Sequence, residues 1–265
     1  MTTIPPTEAD RARILKAHDA LLRGAAEFLA GVEITVEGKP GQVVAFALAA
    51  RVIQIGCALQ ELLERGYGRE SFPLARSMLT GMIHMIVIVD GETDGRARTF
   101  ILDAWDYRER LLDRALSYEF LTAEAVAAEK KRLTVTRASL VAQFDEHGVQ
   151  ASRLGKSPRT WHGLNTEADL FKKMRMPHIY DLDYAWLSNE THVNIGAIEL
   201  ELQEAFEGKT GFGPKGHLPP EVLLASSHAI PEVLAQLSNL LGLNRHDEAV
   251  EMQRTFRDEL WGASV

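Results

Sequence analysis

The chain has a single cysteine, Cys57, so no intrachain disulfide can form, and that usage fits a reducing cytoplasm. Cys57 stands in an apolar run, where a thiol is expected to serve packing and not chemistry. Positive charge is also short. The net charge of -8 sets the molecule as a whole against nonspecific binding to nucleic acid or to an anionic membrane, since both are negative. The opening MTTIPPTEADR lacks the basic region and apolar stretch of a secretory signal, and none is expected. Long apolar runs are missing too. Arg51 and Gln54 interrupt one of the two most apolar segments, and Arg76, Thr80 and His84 interrupt the other. Neither run then reaches the roughly 18 to 20 residues of a membrane span, and both read as buried helices. No internal repeat or low-complexity linker divides the sequence, so one helical domain over residues 1–265 is expected, cytoplasmic and of unstated oligomeric state.

The motifs of common cofactors are missing as well. Gly208-Lys-Thr suggests a phosphate-binding loop, but the required first glycine would fall at position 203, which is Gln. Gly66-Tyr-Gly68 follows a helix, the wrong context for a dinucleotide fingerprint. There is no Gly-x-Ser-x-Gly, no His-Glu-x-x-His and no cysteine pair. No Glu-x-x-His occurs, which removes the usual dimetal bundle, and Glu190 and His192 lie on different faces of any regular helix. With nine histidines scattered along the chain, neither a metal site nor a cofactor is expected.

What is present is helical periodicity. Thr7 and Asp10 have the spacing of a capping box ahead of a helix over Glu8 to Ala30. Val32 to Val36 alternates like a short extended piece before turn formers at Gly38 and Pro40. Apolar residues then wrap a helix over Gly41 to Arg65, and another spans Phe72 to Val89. Amphipathic helices follow over Arg96 to Leu116 and after Thr122, the second with a break expected at Thr134-Val-Thr136. Gly148 to Asn165 reads as a loop pinned by Trp161, and Thr166 caps a short helix ending near Met174. Residues 195–206 fit strand and helix alike, with helix favoured, and a glycine-rich loop covers Glu207 to Pro220. A helix over Glu221 to Leu243, interrupted at Pro231, and one over Asp247 to Leu260 complete an irregular all-α bundle.

Two polar rows stand out. Tyr180, Tyr184, Ser188 and His192 fall one helical turn apart, and so do Arg76, Thr80 and His84 in the most apolar helix. An arginine on a buried helix needs dedicated partners, for which Asp103, Asp106, Tyr107 and Tyr184 are the candidates. The rows are expected to face each other. Either they form a satisfied network that fixes packing, or they line a pocket for a small anionic ligand or a partner protein. In the pocket, Arg76 holds the anion and His192 acts as base or ligand contact, with Tyr180, Tyr184, Ser188, Trp161, Thr80 and His84 as lining. The alternative is a metal-independent hydrolase or ribonuclease in which His192 is the base and Arg76 stabilises the transition state.

Arg13 to His18 has the Arg-x4-His spacing that resembles the catalytic motif of the helical ribonucleases of the HEPN superfamily, although Ile14 follows the arginine and an exposed helical face accounts for the pattern. A wider resemblance rests on Phe72-Pro-Leu-Ala-Arg76-Ser77, on Trp161, and on Tyr180-x3-Tyr184-x2-Leu-Ser188-x3-His192. Together they resemble a bacterial family of helical proteins catalogued only as a domain of unknown function, over about Val43 to Asn194. The resemblance implies a glutamate at the position held here by Thr80, so this chain lacks a carboxylate that could serve as acid, base or partner to Arg76.

Overall fold

The structure is a computed structural model that describes residues 7–34, 39–157, 160–185, 187–188 and 218–261. Every regular element among them is helical: α1 (Glu8–Ala30), α2 (Pro40–Glu64), a 3-10 turn (Arg69–Ser71), α3 (Phe72–Val89), α4 (Thr93–Ser117), α5 (Ala123–Glu146), α6 (Glu167–Lys173), α7 (Pro177–Ile179), a π turn (Tyr180–Tyr184), α8 (Pro220–Leu241) and α9 (His246–Trp261). The protein is an irregular all-α bundle with no strand among the described residues. The ambiguous segment 195–206 and residues 35–36 of the expected extended piece lie outside them, and Val32 to Ile34 form no strand.

Local chemistry explains two helix starts and two unbroken helices. The Thr7 hydroxyl accepts the Asp10 N–H at 3.2 Å while the Asp10 carboxylate accepts the Thr7 N–H at 3.3 Å, the reciprocal capping box expected for α1. Thr166 and Asp169 repeat the arrangement at the start of α6. α5 runs unbroken through Thr134 and Thr136, contrary to the expected break. Their hydroxyls donate to the carbonyls of Lys130 and Arg132 at 2.9 and 3.0 Å, which keeps both side chains inside the helical hydrogen-bond pattern. α8 likewise continues through Pro231. Proline removes the N–H that would bond the Ser227 carbonyl, and the Gln253 side chain of α9 donates to that carbonyl at 3.0 Å.

Contacts group the chain into two compact units. The first takes residues 1–33, 46–86 and 171–265, the second residues 34–45 and 87–170. In the first, α1, α8 and α9 pack on one another, and Phe28, Leu59, Leu79, Met82, Ile83 and Val233 are fully buried. α2 comes so close to α1 that a Cβ on Gly56 would meet Leu22 Cδ2 at 2.7 Å. Arg245 closes the end of α1, donating to the Phe28 carbonyl at 3.0 Å, lying over the Phe28 ring and pairing with Glu248 at 2.6 Å.

In the second unit α4 packs on α5, with Trp105, Val126, Leu133 and Phe144 buried. The loop after α5 is tied to α4 by Thr99, whose hydroxyl donates to the Ser152 carbonyl at 2.8 Å and accepts the Ser152 N–H at 3.0 Å. Gly163 has a φ of 79° and lies against the Gly155 backbone, a place for glycine alone.

One expectation fails here. Cys57 is exposed, because it shares a face of α2 with Arg51, Gln54 and Glu61 while Val52 and Leu59 turn inward. By length and composition alone Pro40–Glu64 and Arg69–Val89 are long and apolar enough to cross a membrane, since averaging absorbs the polar residues that interrupt each run. In α3 the same apolarity buries Met78, Leu79, Met82, Ile83 and Met85, the use a core helix makes of it.

Candidate functional site

Arg76 is half-buried on α3, and of its four proposed partners the structure supplies Tyr184. The guanidinium lies over the Tyr184 ring at 5.2 Å from its centroid, and Nη2 is 3.4 Å from the phenol oxygen, a long contact. Asp103, Asp106 and Tyr107 belong to the other unit, where Asp106 pairs with Arg137 at 2.9 Å. Among the described residues no carboxylate stands within ion-pair distance of Arg76. Tyr184 is buried, and Tyr180 stacks on it with centroids 5.3 Å apart and planes 21° apart. Phe171 tilts against both rings. The aromatic half of the expected row therefore forms a platform under one guanidinium.

The rest of both rows is placed less closely. Thr80 turns its hydroxyl back to the Arg76 carbonyl at 3.1 Å, so it serves its own helix. His84 and Ser188 are half-buried, and His192 lies outside the described residues. Trp161 belongs to the other unit, packed edge-on against Phe100 at 5.0 Å, where it pins its loop as the sequence suggested. The row through Tyr180 and Tyr184 is also not a regular α-helical one. Ala185 donates its N–H to the Tyr180 carbonyl, five residues back, which widens the turn and rotates everything after it.

That turn carries a pair the sequence reading missed. Asp183 is buried, and its Oδ2 lies 3.0 Å from Nδ1 of His228 on α8. A carboxylate only accepts, so Nδ1 bears the hydrogen, and Nε2 has no partner among the described residues, on an imidazole whose side chain is 22% exposed. Arg76 and His228 thus reach consecutive residues of one turn from two helices, α3 and α8, which also meet where the Ser226 hydroxyl approaches Met78 Sδ at 3.8 Å. Two signals were available. Asp183 sat between Leu182 and Tyr184 in a stretch that had to bury one face, and His228 stood alone in an apolar helix; each needed a partner.

The other candidates separate. Arg13 is exposed and paired with Glu259 at 3.2 Å, whereas His18 is fully buried, its Nδ1 2.6 Å from Gln60 Oε1. The ribonuclease-like spacing therefore does not place both on one accessible face, and the exposed helical face expected for the pattern stops short of His18. Burial holds the His18 imidazole below its ordinary pKa. A groove of about 600 Å³ between α1 and α9 is lined by Lys16, Ala17, Leu21, Met252 and Phe256 among others, and by none of the residues nominated from the two rows. Among the described residues no three His, Cys, Asp or Glu side chains are grouped to hold a metal ion.

Comparison with curated proteins finds no match, and neither does comparison with solved structures. A family model does match, over residues 42–210, which is more than half of the chain and contains Arg76, the aromatic platform and Asp183, though not His228. The chain belongs to the family of unknown function DUF5677.

Proposed function

We propose that this protein binds a small anionic ligand, or an anionic group on a partner, at the guanidinium of Arg76. The observation that carries the reading is a half-buried arginine held by an aromatic platform and, among the described residues, by no carboxylate. A cation withdrawn from water usually has a carboxylate beside it. Tyr184 offers its ring face and one long oxygen contact, so the described residues leave most of the five N–H donors of Arg76 for another acceptor. The planar fork of those donors matches a phosphate or carboxylate in two-point fashion, and stacking on a buried ring holds the fork in place before the ligand arrives. Tyr180 and Phe171 brace that ring from the protein side.

Titration calorimetry with inorganic phosphate and with acetate tests this. Wild-type protein is expected to bind phosphate, Arg76→Ala to weaken it about tenfold or more, as loss of a charged hydrogen-bonding partner should, and Arg76→Lys to fall between them. Circular dichroism of each variant checks that the helices persist. Equal phosphate affinity in wild type and Arg76→Ala, or no binding by the wild type, removes the reading.

A further inference from the structure

We propose that His228, oriented by Asp183, is a general base that directs water onto a phosphoester whose phosphoryl oxygens are held by Arg76. The inference rests on the anion-binding reading above and adds a reaction to it.

The argument starts from the cost of Asp183. Burying a carboxylate is unfavourable unless it is paired and hydrogen-bonded, and a structural tether would be made most simply with arginine or lysine. Here the partner is an imidazole, 3.0 Å away through Nδ1, on a side chain that is part-exposed. The carboxylate fixes the tautomer and the ring orientation, which leaves Nε2 as an acceptor pointing away from the buried partner, the arrangement a base and its orienting acid require. Asp183 owes its position to the π turn, whose five-residue step displaces it from the course of a regular helix. The residue after Asp183 is Tyr184, over which Arg76 lies. The base and the fork are carried by α8 and α3, which meet where Ser226 approaches Met78, each of these lying two residues from His228 and Arg76 in turn.

The chemistry balances without a further reagent. Nε2 of His228 takes a proton from water as the water oxygen forms its bond to phosphorus. The bond from phosphorus to the ester oxygen breaks on the opposite face, where the leaving alkoxide takes a proton from solvent water, and the imidazolium returns its proton to solvent. The products are the phosphate and the alcohol, and nothing is oxidised or reduced. Arg76 stabilises the charge that spreads over the non-bridging oxygens, and Asp183 keeps the imidazole in register and offsets its positive charge while the proton is held. Asp183 is a positioning residue in this scheme, since it acts through His228.

The test uses the full chain with 4-nitrophenyl phosphate and bis(4-nitrophenyl) phosphate as turnover probes and inorganic phosphate as the binding probe. Wild type is expected to release 4-nitrophenolate from at least one ester above the uncatalysed rate. His228→Gln keeps an N–H that can still serve Asp183 but has no basic nitrogen. It should lower kcat about a hundredfold or more, the usual worth of general-base catalysis, with phosphate affinity within about twofold of wild type. Asp183→Asn should lower kcat with KM unchanged, because it disturbs the tautomer and not the fork, while Arg76→Ala should raise KM and weaken phosphate together. If wild type binds phosphate but hydrolyses neither ester, or if His228→Gln turns over at the wild-type rate, the base assignment is overturned and the anion site stands. If His228→Gln unfolds, Asp183→Asn decides: wild-type kcat there overturns the proposal, and a loss of kcat at constant KM upholds it. Loss of phosphate binding in no variant would remove the anion site itself.

Discussion

Inside α1, His18 has no exposure to water, and its surroundings allow one protonation state. Nδ1 donates to Gln60 Oε1 at 2.6 Å, Gln60 Nε2 donates in turn to Glu64 Oε1 at 2.6 Å, and His18 Nε2 has no hydrogen-bond partner among the described residues. Protonation at Nε2 would place a second N–H, and a charge, where nothing accepts it. Desolvation accordingly lowers the folded pKa, against smaller opposing effects of Gln60, Asp19 and Glu64. The sign follows from linkage. Below about pH 6.5 the unfolded chain protonates this residue and the folded chain does not, so the unfolded state holds more protons and stability drops as pH falls. The contribution is complete above that value and is lost as pH falls towards the depressed folded pKa. Thermal unfolding of wild type should drop more between pH 7 and pH 5 than that of His18→Gln, which does not titrate; parallel profiles would show that His18 is not the responsible group. Periodicity could not announce this residue. The spacing from Arg13 was legible, but whether His18 faced water depended on where α2 and α9 lay. Asp183 and His228 were invisible as a pair for the same reason: 45 residues separate them, and a helix row lists neighbours along one element only.

At the scale of elements, sequence carried further. α1 begins and ends where the capping box and periodicity put it, and α3 has the expected bounds, because those signals are local. Misreadings arose where a side chain from elsewhere, or a hydroxyl on the helix itself, supplied what the backbone lacked. Gln253 takes over the carbonyl freed by Pro231, and the hydroxyls of Thr134 and Thr136 return to their own helix. The π turn had no local signature at all, yet it decides which way Asp183 faces. The α4 and α5 pair offers a quantitative check on which apolar residues hold an element. Phe144 is 1% exposed and Phe120 is 80% exposed, so their aromatic character has different uses. Phe144→Ala should cost about 3 to 5 kcal/mol through lost burial and the cavity left behind. Phe120→Ser should change stability by no more than about 0.5 kcal/mol. Urea unfolding followed by circular dichroism measures both, and comparable losses would mean that the burial pattern of α5 and of the turn before it is wrong.

For the whole molecule the question is whether two compact units unfold as one. The grouping does not follow the chain: α2 gives residues 40–45 to one unit and residues 46–64 to the other, and α3 divides after Ile86. A helix that serves both units cannot lose one part without breaking its i to i−4 bonds at the division, and helix formation is cooperative because re-nucleating a fragment is costly. α2 is held in the first unit by the close approach of Gly56 to Leu22, and its first turn is held in the second by the Gly41 N–H donating to Asp94 Oδ1 at 2.7 Å. Melting of either unit strips one end of α2 of its support. A single calorimetric transition is therefore expected, with calorimetric and van't Hoff enthalpies in agreement. Gly163→Ala makes the check sharper. Its φ of 79° and its contact with the Gly155 backbone put the strain wholly in the second unit. One transition moved bodily to lower temperature would show that strain placed in one unit is felt through both, as a shared helix demands. A split endotherm, with only its lower part moved, would mean that α2 can break at the division and that each unit folds on its own account.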